Sequence, residues 1–218
     1  MSWEEFVAGW ALAFDGYNMR HASPARRRWM RAAHRVALVL ARCGVRPSAT
    51  MVLSAAASVA VALCGWRGGG WPIAGALALL AGLGADTLTL SLSVVSGAVT
   101  RLRGFYQSLL DRLAEVCWLA AFVALGAHAV LAVVCGALVW AHEYLRARST
   151  LRRAGTSTLG DRPARVWLSL AGLVLAGLIA QLGQDLAAGI VTLIVFSWAA
   201  LAFVGIGQLL AIIRKVLA

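Results

Sequence analysis

Three of the acidic residues inside long apolar stretches of this 218-residue chain stand out: Asp86, Asp111 and Glu115. A charge at membrane depth is costly, so each is a candidate for function. Asp111 and Glu115 are four residues apart and share one face of a helix. Two carboxylates beside arginines can hold a hard divalent cation or carry out acid–base chemistry. They can equally form structural ion pairs with Arg101, Arg103 or Arg112. Ser93 and Ser96 are three apart and also share a face. Gly97 beside them permits close approach by a ligand or by another helix. Asp86 lies seven residues before Ser93, on the same face but about 10 Å deeper at the helical rise.

A second constellation is basic. Glu143-Tyr144-Leu145-Arg146-Ala147-Arg148 is followed by Gly160-Asp161-Arg162-Pro163-Ala164-Arg165. Arg146, Arg148, Arg162 and Arg165 end two neighbouring apolar stretches at one membrane face. Guanidinium forks suit phosphate oxygens, so these four are candidates for an anion or acceptor site. Contact with lipid head groups, or topology signalling alone, would use the same residues. Asp161-Arg162-Pro163 also reads simply as the start of a helix.

The elements that must position these residues are membrane helices. The composition is 61% hydrophobic and 13% charged, with a mean hydropathy of +0.80. Soluble domains are about one quarter charged, and a water-soluble fold could not cover this much apolar surface. The spans read as about 48–66, 72–99, 104–124, 127–147, 165–182 and 188–213. The expected fold is all-α: a polytopic protein of six transmembrane helices with an N-terminal amphipathic juxtamembrane helix. Residues 1–46 form cytoplasmic or interfacial helices, and 47–218 a single membrane domain.

The net charge of +11 comes from 20 Lys+Arg against 9 Asp+Glu. With six spans, 19 of the 20 cations fall on one face, and only Arg67 falls on the other. The positive-inside rule then places both termini in the cytoplasm of a multi-pass protein of the inner or plasma membrane. Nucleic acid is excluded as a partner, because no aromatic residues alternate with the loop arginines as stacking requires. Cys43, Cys64, Cys117 and Cys135 lack metal-ligand spacing, and the late first span leaves no cleavable signal peptide.

Ahead of the spans, Trp3, Phe6, Trp10 and Phe14 make one apolar helical face. Ser23-Pro24 reads as N-cap and first residue of a second helix. In it Arg28, Arg31, Arg35 and Arg42 share one face, and Trp29, Ala33, Val36 and Leu40 another. Such a basic amphipathic helix lies in the membrane interface.

Together these elements resemble the CDP-alcohol phosphatidyltransferase family. Its signature is Asp-x-x-Asp-Gly-x-x-Ala-Arg followed by Gly-x-x-x-Asp-x-x-x-Asp. Gly97, Thr100 and Arg101 fall on Gly-x-x-Ala-Arg. Asp111 falls on the third aspartate and Glu115 on the fourth. Ser93 and Ser96 stand at the first two aspartates. Gln107 stands at the second glycine, and the spacer after Arg101 is about three residues short. The stretches Tyr144–Arg148 and Gly160–Arg165 are similar to a pattern of the phosphatidylinositol-phosphate-synthase-like branch.

The resemblance implies transfer of a phosphatidyl-type group from a CDP-linked donor to an alcohol, with release of CMP. It implies that Ser93, Ser96, Gly97 and Arg101 line the donor site, that Asp111 and Glu115 hold Mg²⁺ or Mn²⁺, and that Glu115 is the base. Arg146, Arg148, Arg162 and Arg165 would hold an anionic acceptor. Membrane lipids, and a second copy of the chain, are the implied partners. Two of four carboxylates are serines, so metal binding is expected to be weak. A family member that binds nucleotide, lipid or a partner without turnover is the competing reading. A transporter using Asp86 is a third; it requires paired broken helices, and the sequence has no internal symmetry.

Overall fold

The computed structural model describes residues 1–13, 19, 22–148 and 158–217. They form eight α-helices and no strand: α1 Trp3–Ala13, α2 Pro24–Arg42, α3 Pro47–Arg67, α4 Trp71–Val95, α5 Arg101–Ala124, α6 Ala129–Arg148, α7 Arg162–Ile179 and α8 Gln184–Leu217. Phe14 and Arg152, with the rest of 149–157, lie outside the described residues.

Five helices are long and apolar enough to cross a membrane: α3, α4, α6, α7 and α8. Helix α5, expected as the third of six spans, has 24 residues. At about 1.5 Å each that is long enough to span. Its first fifteen residues, however, carry Arg101, Arg103, Asp111, Arg112 and Glu115, so its composition falls short of the other five. Helix α4 ends at Val95, not at 99, because Gly97 takes a φ of 65° and turns the chain. The Ala98 N–H then reaches back to the Ser93 carbonyl at 2.9 Å, a glycine-terminated helix end.

The chain folds as two compact units that share α3, α4 and α5. One comprises Met1–Ala57 and Leu80–Asp111, the other Ser58–Leu79 and Arg112–Ala218. In the first, Phe6, Val7 and Trp10 of α1 pack with Met19, Met30 and Val94. Burial of one such aromatic side chain contributes roughly 1.5–3 kcal/mol. Helix α2 starts as its sequence indicates, with the Ser23 hydroxyl accepting from the Arg26 N–H at 3.3 Å and proline in the first turn. It shows three sectors. Met30, Ala33, His34 and Ala37 are buried; Arg28, Arg31, Arg35 and Arg42 are exposed; Trp29, Val36 and Val39 are exposed and apolar.

In the second unit α8 packs along α6 and α7 around Val139, Leu173, Ala176, Val191, Val195 and Trp198. The turn before α7 closes onto α8 through two glycines. A Cβ on Gly205 would stand 2.8 Å from the Gly160 nitrogen, so backbone meets backbone there.

Candidate functional site: two buried polar clusters

The first cluster belongs wholly to the first unit. Asp86 of α4 is 9% exposed. Its Oδ1 accepts from Ser54 Oγ of α3 at 2.6 Å and from Gln107 Nε2 of α5 at 3.1 Å. The same Gln107 nitrogen donates to Asp111 Oδ1 at 3.1 Å. One amide therefore joins the two acids. Gln107 is 8% exposed, and its Oε1 is buried without a hydrogen-bond partner among the described residues. One turn along both helices, Thr89 Oγ1 donates to Thr50 Oγ1 at 2.8 Å. A polar seam thus runs between α3 and α4 where an apolar contact would be the default.

The second cluster belongs to the second unit and is built from charge. Glu115 of α5 and Arg165 of α7 are each 1% exposed. Arg165 Nε lies 3.3 Å from Glu115 Oε1, and Arg165 Nη2 donates to Glu143 Oε1 of α6. Arg112 closes the ring, 3.4 Å from Glu115 Oε2 and 3.0 Å from Glu143 Oε2. Each guanidinium touches both carboxylates, and the four formal charges cancel. Burial of ions is tolerable only with this kind of pairing.

Beside the ring, Asp161 fixes the turn before α7. Its carboxylate accepts from the Thr158 N–H at 3.0 Å, from Thr158 Oγ1 at 2.8 Å, and from Arg146. Since the Thr158 proton goes to Asp161, Thr158 Oγ1 accepts from His142 Nε2, 2.9 Å away. The Leu159 N–H donates to Gln208 Oε1 of α8 at 3.0 Å.

The residues singled out from sequence are distributed as follows. Ser93 Oγ donates to the Thr89 carbonyl at 2.7 Å and Ser96 Oγ to the Leu92 carbonyl at 2.6 Å, so both hydroxyls serve their own helix. Gly97 supplies the turn. Arg101 opens α5 in an exposed position, next to the capping Thr100, whose Oγ1 accepts from the Arg103 N–H at 3.2 Å. Arg103 itself donates to the Ala98 carbonyl. Asp111 joins Asp86 through Gln107, whereas Glu115 joins the arginine ring. Of the four acceptor-site arginines, Arg165 is enclosed by two glutamates, Arg146 holds Asp161, and Arg162 is partly exposed at the start of α7. The Arg148 side chain lies outside the described residues.

Reading the sequence missed Gln107, Ser54 and Glu143 as site residues. Glu143 carried a signal, being an acid within an apolar stretch three positions before Arg146. Gln107 and Ser54 carried none beyond being polar at span depth.

The donors present do not fit a hard dication at the expected place. Glu115 faces two guanidiniums, and the hydroxyls of Ser93 and Ser96 are committed to backbone carbonyls. No group of three or more His, Cys, Asp or Glu side chains gathers at metal-binding distance among the described residues. Compared with known proteins, the chain matches no family model and no curated protein.

Proposed function

We propose that this chain is a multi-pass membrane protein built like the CDP-alcohol phosphatidyltransferases, acting without turnover: it engages membrane lipid, a CDP-linked donor or a partner and releases no CMP. The observation that carries this reading is the state of Glu115. In the resemblance it is the base that activates the alcohol, yet here it is 1% exposed and lies within 3.4 Å of two arginines. A base must reach the proton it removes, and Glu115 is enclosed, with a guanidinium beside each of its oxygens. The serines at the first two signature positions support the same reading, since a hydroxyl gives Mg²⁺ or Mn²⁺ no net charge.

In this reading α5 also crosses the membrane, with its Arg112 and Glu115 paired to Glu143 of α6 and Arg165 of α7. Nineteen of twenty cations then share the cytoplasmic face with both termini, and the basic sector of α2 lies along the head groups. The decisive experiment incubates purified protein with CDP-diacylglycerol, Mg²⁺ or Mn²⁺ and a panel of alcohols. No CMP should appear above the detergent blank. Release of CMP that depends on Glu115 would restore the transferase reading. Reporters fused after Gly69 and after Gly155 should report opposite sides; the same side for both would end the six-span arrangement.

A further inference from the structure

We propose that the N-terminal half of α2, with Trp3 of α1 against it, holds a phosphate monoester among Arg27, Arg28, Arg31 and His34. The site lies wholly within the unit of Met1–Ala57 and Leu80–Asp111. It shares no residue with the donor, metal or acceptor sets of the transferase resemblance.

The case begins with spacing. Arg27 and Arg31 are four apart, Arg28 and Arg31 three, and Arg31 and Arg35 four, so Arg31 neighbours each of the others on one helix face. All four are exposed, and no ion pair among the described residues engages them. Helix α2 has no acid in its 19 residues, and the sequence has none from Gly16 to Ala85. The cluster therefore carries a standing positive field, to which the positive end of the helix adds.

Two cavities give that field a shape. One of about 300 Å³ is lined by Pro24, Arg27, Arg28 and Arg31. A second, of about 250 Å³, is lined by Trp3, Arg31, His34 and Arg35. Arg31 walls both, and its guanidinium is held 5.4 Å over the Trp3 ring, so the shared wall is positioned before a ligand arrives. His34 supplies an independent observation. It is 6% exposed, and its Nε2 is buried without a hydrogen-bond partner among the described residues. A phosphate monoester answers both sets of groups. Its terminal oxygens accept from guanidinium forks, and its second proton, which leaves at a pH of about 6, can be shared with an imidazole nitrogen. A diester has a single charge and no such proton.

The same ester occurs on a lipid head group and free in solution. Trp29 Nε1 donates to Thr87 Oγ1 of α4 at 3.3 Å. That threonine is about 12 Å short of the helix end at Val95, so α2 lies alongside an apolar span. The lipid source rests on the interfacial placement of α2 proposed above; the site itself does not.

The test uses radiolabelled inorganic phosphate as probe, in equilibrium dialysis against the purified full-length chain in detergent micelles. Binding should be saturable, and Arg27→Ala and Arg31→Ala should each weaken it about tenfold or more. Arg42→Ala, which removes the same charge from the far end of α2, should leave it within about twofold. His34→Phe keeps a ring against Phe6 and Trp3 but removes Nε2, and should weaken binding about threefold or more. Short-chain phosphatidic acid in the micelles and glycerol 3-phosphate in the buffer should both displace the probe, and the one that does so at lower concentration identifies the source. Phosphatidylglycerol, a diester, should displace it only at far higher concentration. Equal displacement by the diester overturns the monoester assignment. Binding indifferent to Arg27→Ala and Arg31→Ala, or weakened as much by Arg42→Ala, overturns the site. Should His34→Phe fail to fold, the arginine variants, whose side chains are exposed, decide.

Discussion

In the unit of Met1–Ala57 and Leu80–Asp111, the buried acids Asp86 and Asp111 meet a hydroxyl and an amide. In the unit of Ser58–Leu79 and Arg112–Ala218, the acids Glu115 and Glu143 meet two guanidiniums. Both arrangements bring partners to buried carboxylates, but their reserve differs. A ring of two cations and two anions is closed: any added ion meets a neutral set, and any removed member leaves a bare charge. An amide between two acids is a neutral bridge, which supplies hydrogen bonds and no opposite charge. Sequence resemblance puts Asp111 and Glu115 in one site. The three-dimensional partners separate them by chemistry, although they are only one helical turn apart.

The largest expected effect lies in the ring. Arg165→Met removes the guanidinium that Glu115 and Glu143 share, and should destabilise the fold by about 3–5 kcal/mol, the usual consequence of orphaning a buried charge. Thermal unfolding in detergent, followed by size-exclusion chromatography, would register it as early aggregation. Arg165→Met combined with Glu115→Gln should recover part of the loss. Asp86→Asn keeps a partner for Ser54 and should cost about 1 kcal/mol, the scale of a single hydrogen bond. If Asp86→Asn proves as damaging as Arg165→Met, the contrast between the clusters is not one of charge.

A smaller effect sharpens the same contrast through packing. Gly205→Ala drives a methyl to 2.8 Å from the Gly160 backbone, which cannot rotate away, and should cost about 1–3 kcal/mol. Gly9→Ala in the first unit meets only the Val94 Cγ1 at 3.1 Å, a side-chain atom free to yield, and should cost under about 1 kcal/mol. Paired melting curves of the two variants check this. The reverse order would mean that the turn on α8 is looser than the contact of α1.

The smallest effect is a pH response confined to the first unit. The His34 ring lies tilted against Phe6, 4.6 Å between ring centres, and against Trp3 at 5.8 Å. Burial, and then the positive N-terminus, hold its imidazole below the ordinary value of 6.5, while a hydrogen bond with the Met1 backbone opposes them weakly. Arg31, whose guanidinium lies 5.4 Å over Trp3, adds no stabilisation for a second cation. The neutral form is thus favoured by the fold. The stability it gives is complete above pH 6.5 and declines as pH falls through that value and below. Hydrogen exchange of residues 3–13 should therefore quicken between pH 7.5 and 5, and His34→Phe should flatten the response. Exchange that slows on acidification would reverse the assignment.

Much of the helical layout was legible from residue types. Six apolar stretches match α3 to α8 within a few residues, and Ser23-Pro24 marks the start of α2, because caps and apolar length are local properties. Partner choice was not legible. Arg165 lies three residues after Arg162 and on the same face, which suggests a shared anion, yet its partner Glu143 stands 22 residues away in the chain. Gln107 and Asp86 are 21 apart, and nothing in either segment announces the other. Periodicity shows which face a residue occupies; which helix comes to meet that face depends on packing of the whole chain.

Helix α8 sets a scale for the second unit. Its apolar stretch, Gln184–Arg214, has 31 residues, or about 46 Å against a hydrocarbon core of about 30 Å. To submerge all of it would take a tilt near 50°, beyond the 0–40° seen in membrane helices. Part of the helix must therefore stand in the head groups or in water. Gln208, which receives the Leu159 N–H, lies about 36 Å along the axis from Gln184. With Gln184 and Asp185 at the far boundary, the Gln208 amide and the turn fastened to it belong to the head-group layer. Laid across a bilayer from that boundary, a helix of this length would act as a ruler, and membrane thickness would set how far the turn ahead of α7 stands clear of the lipid.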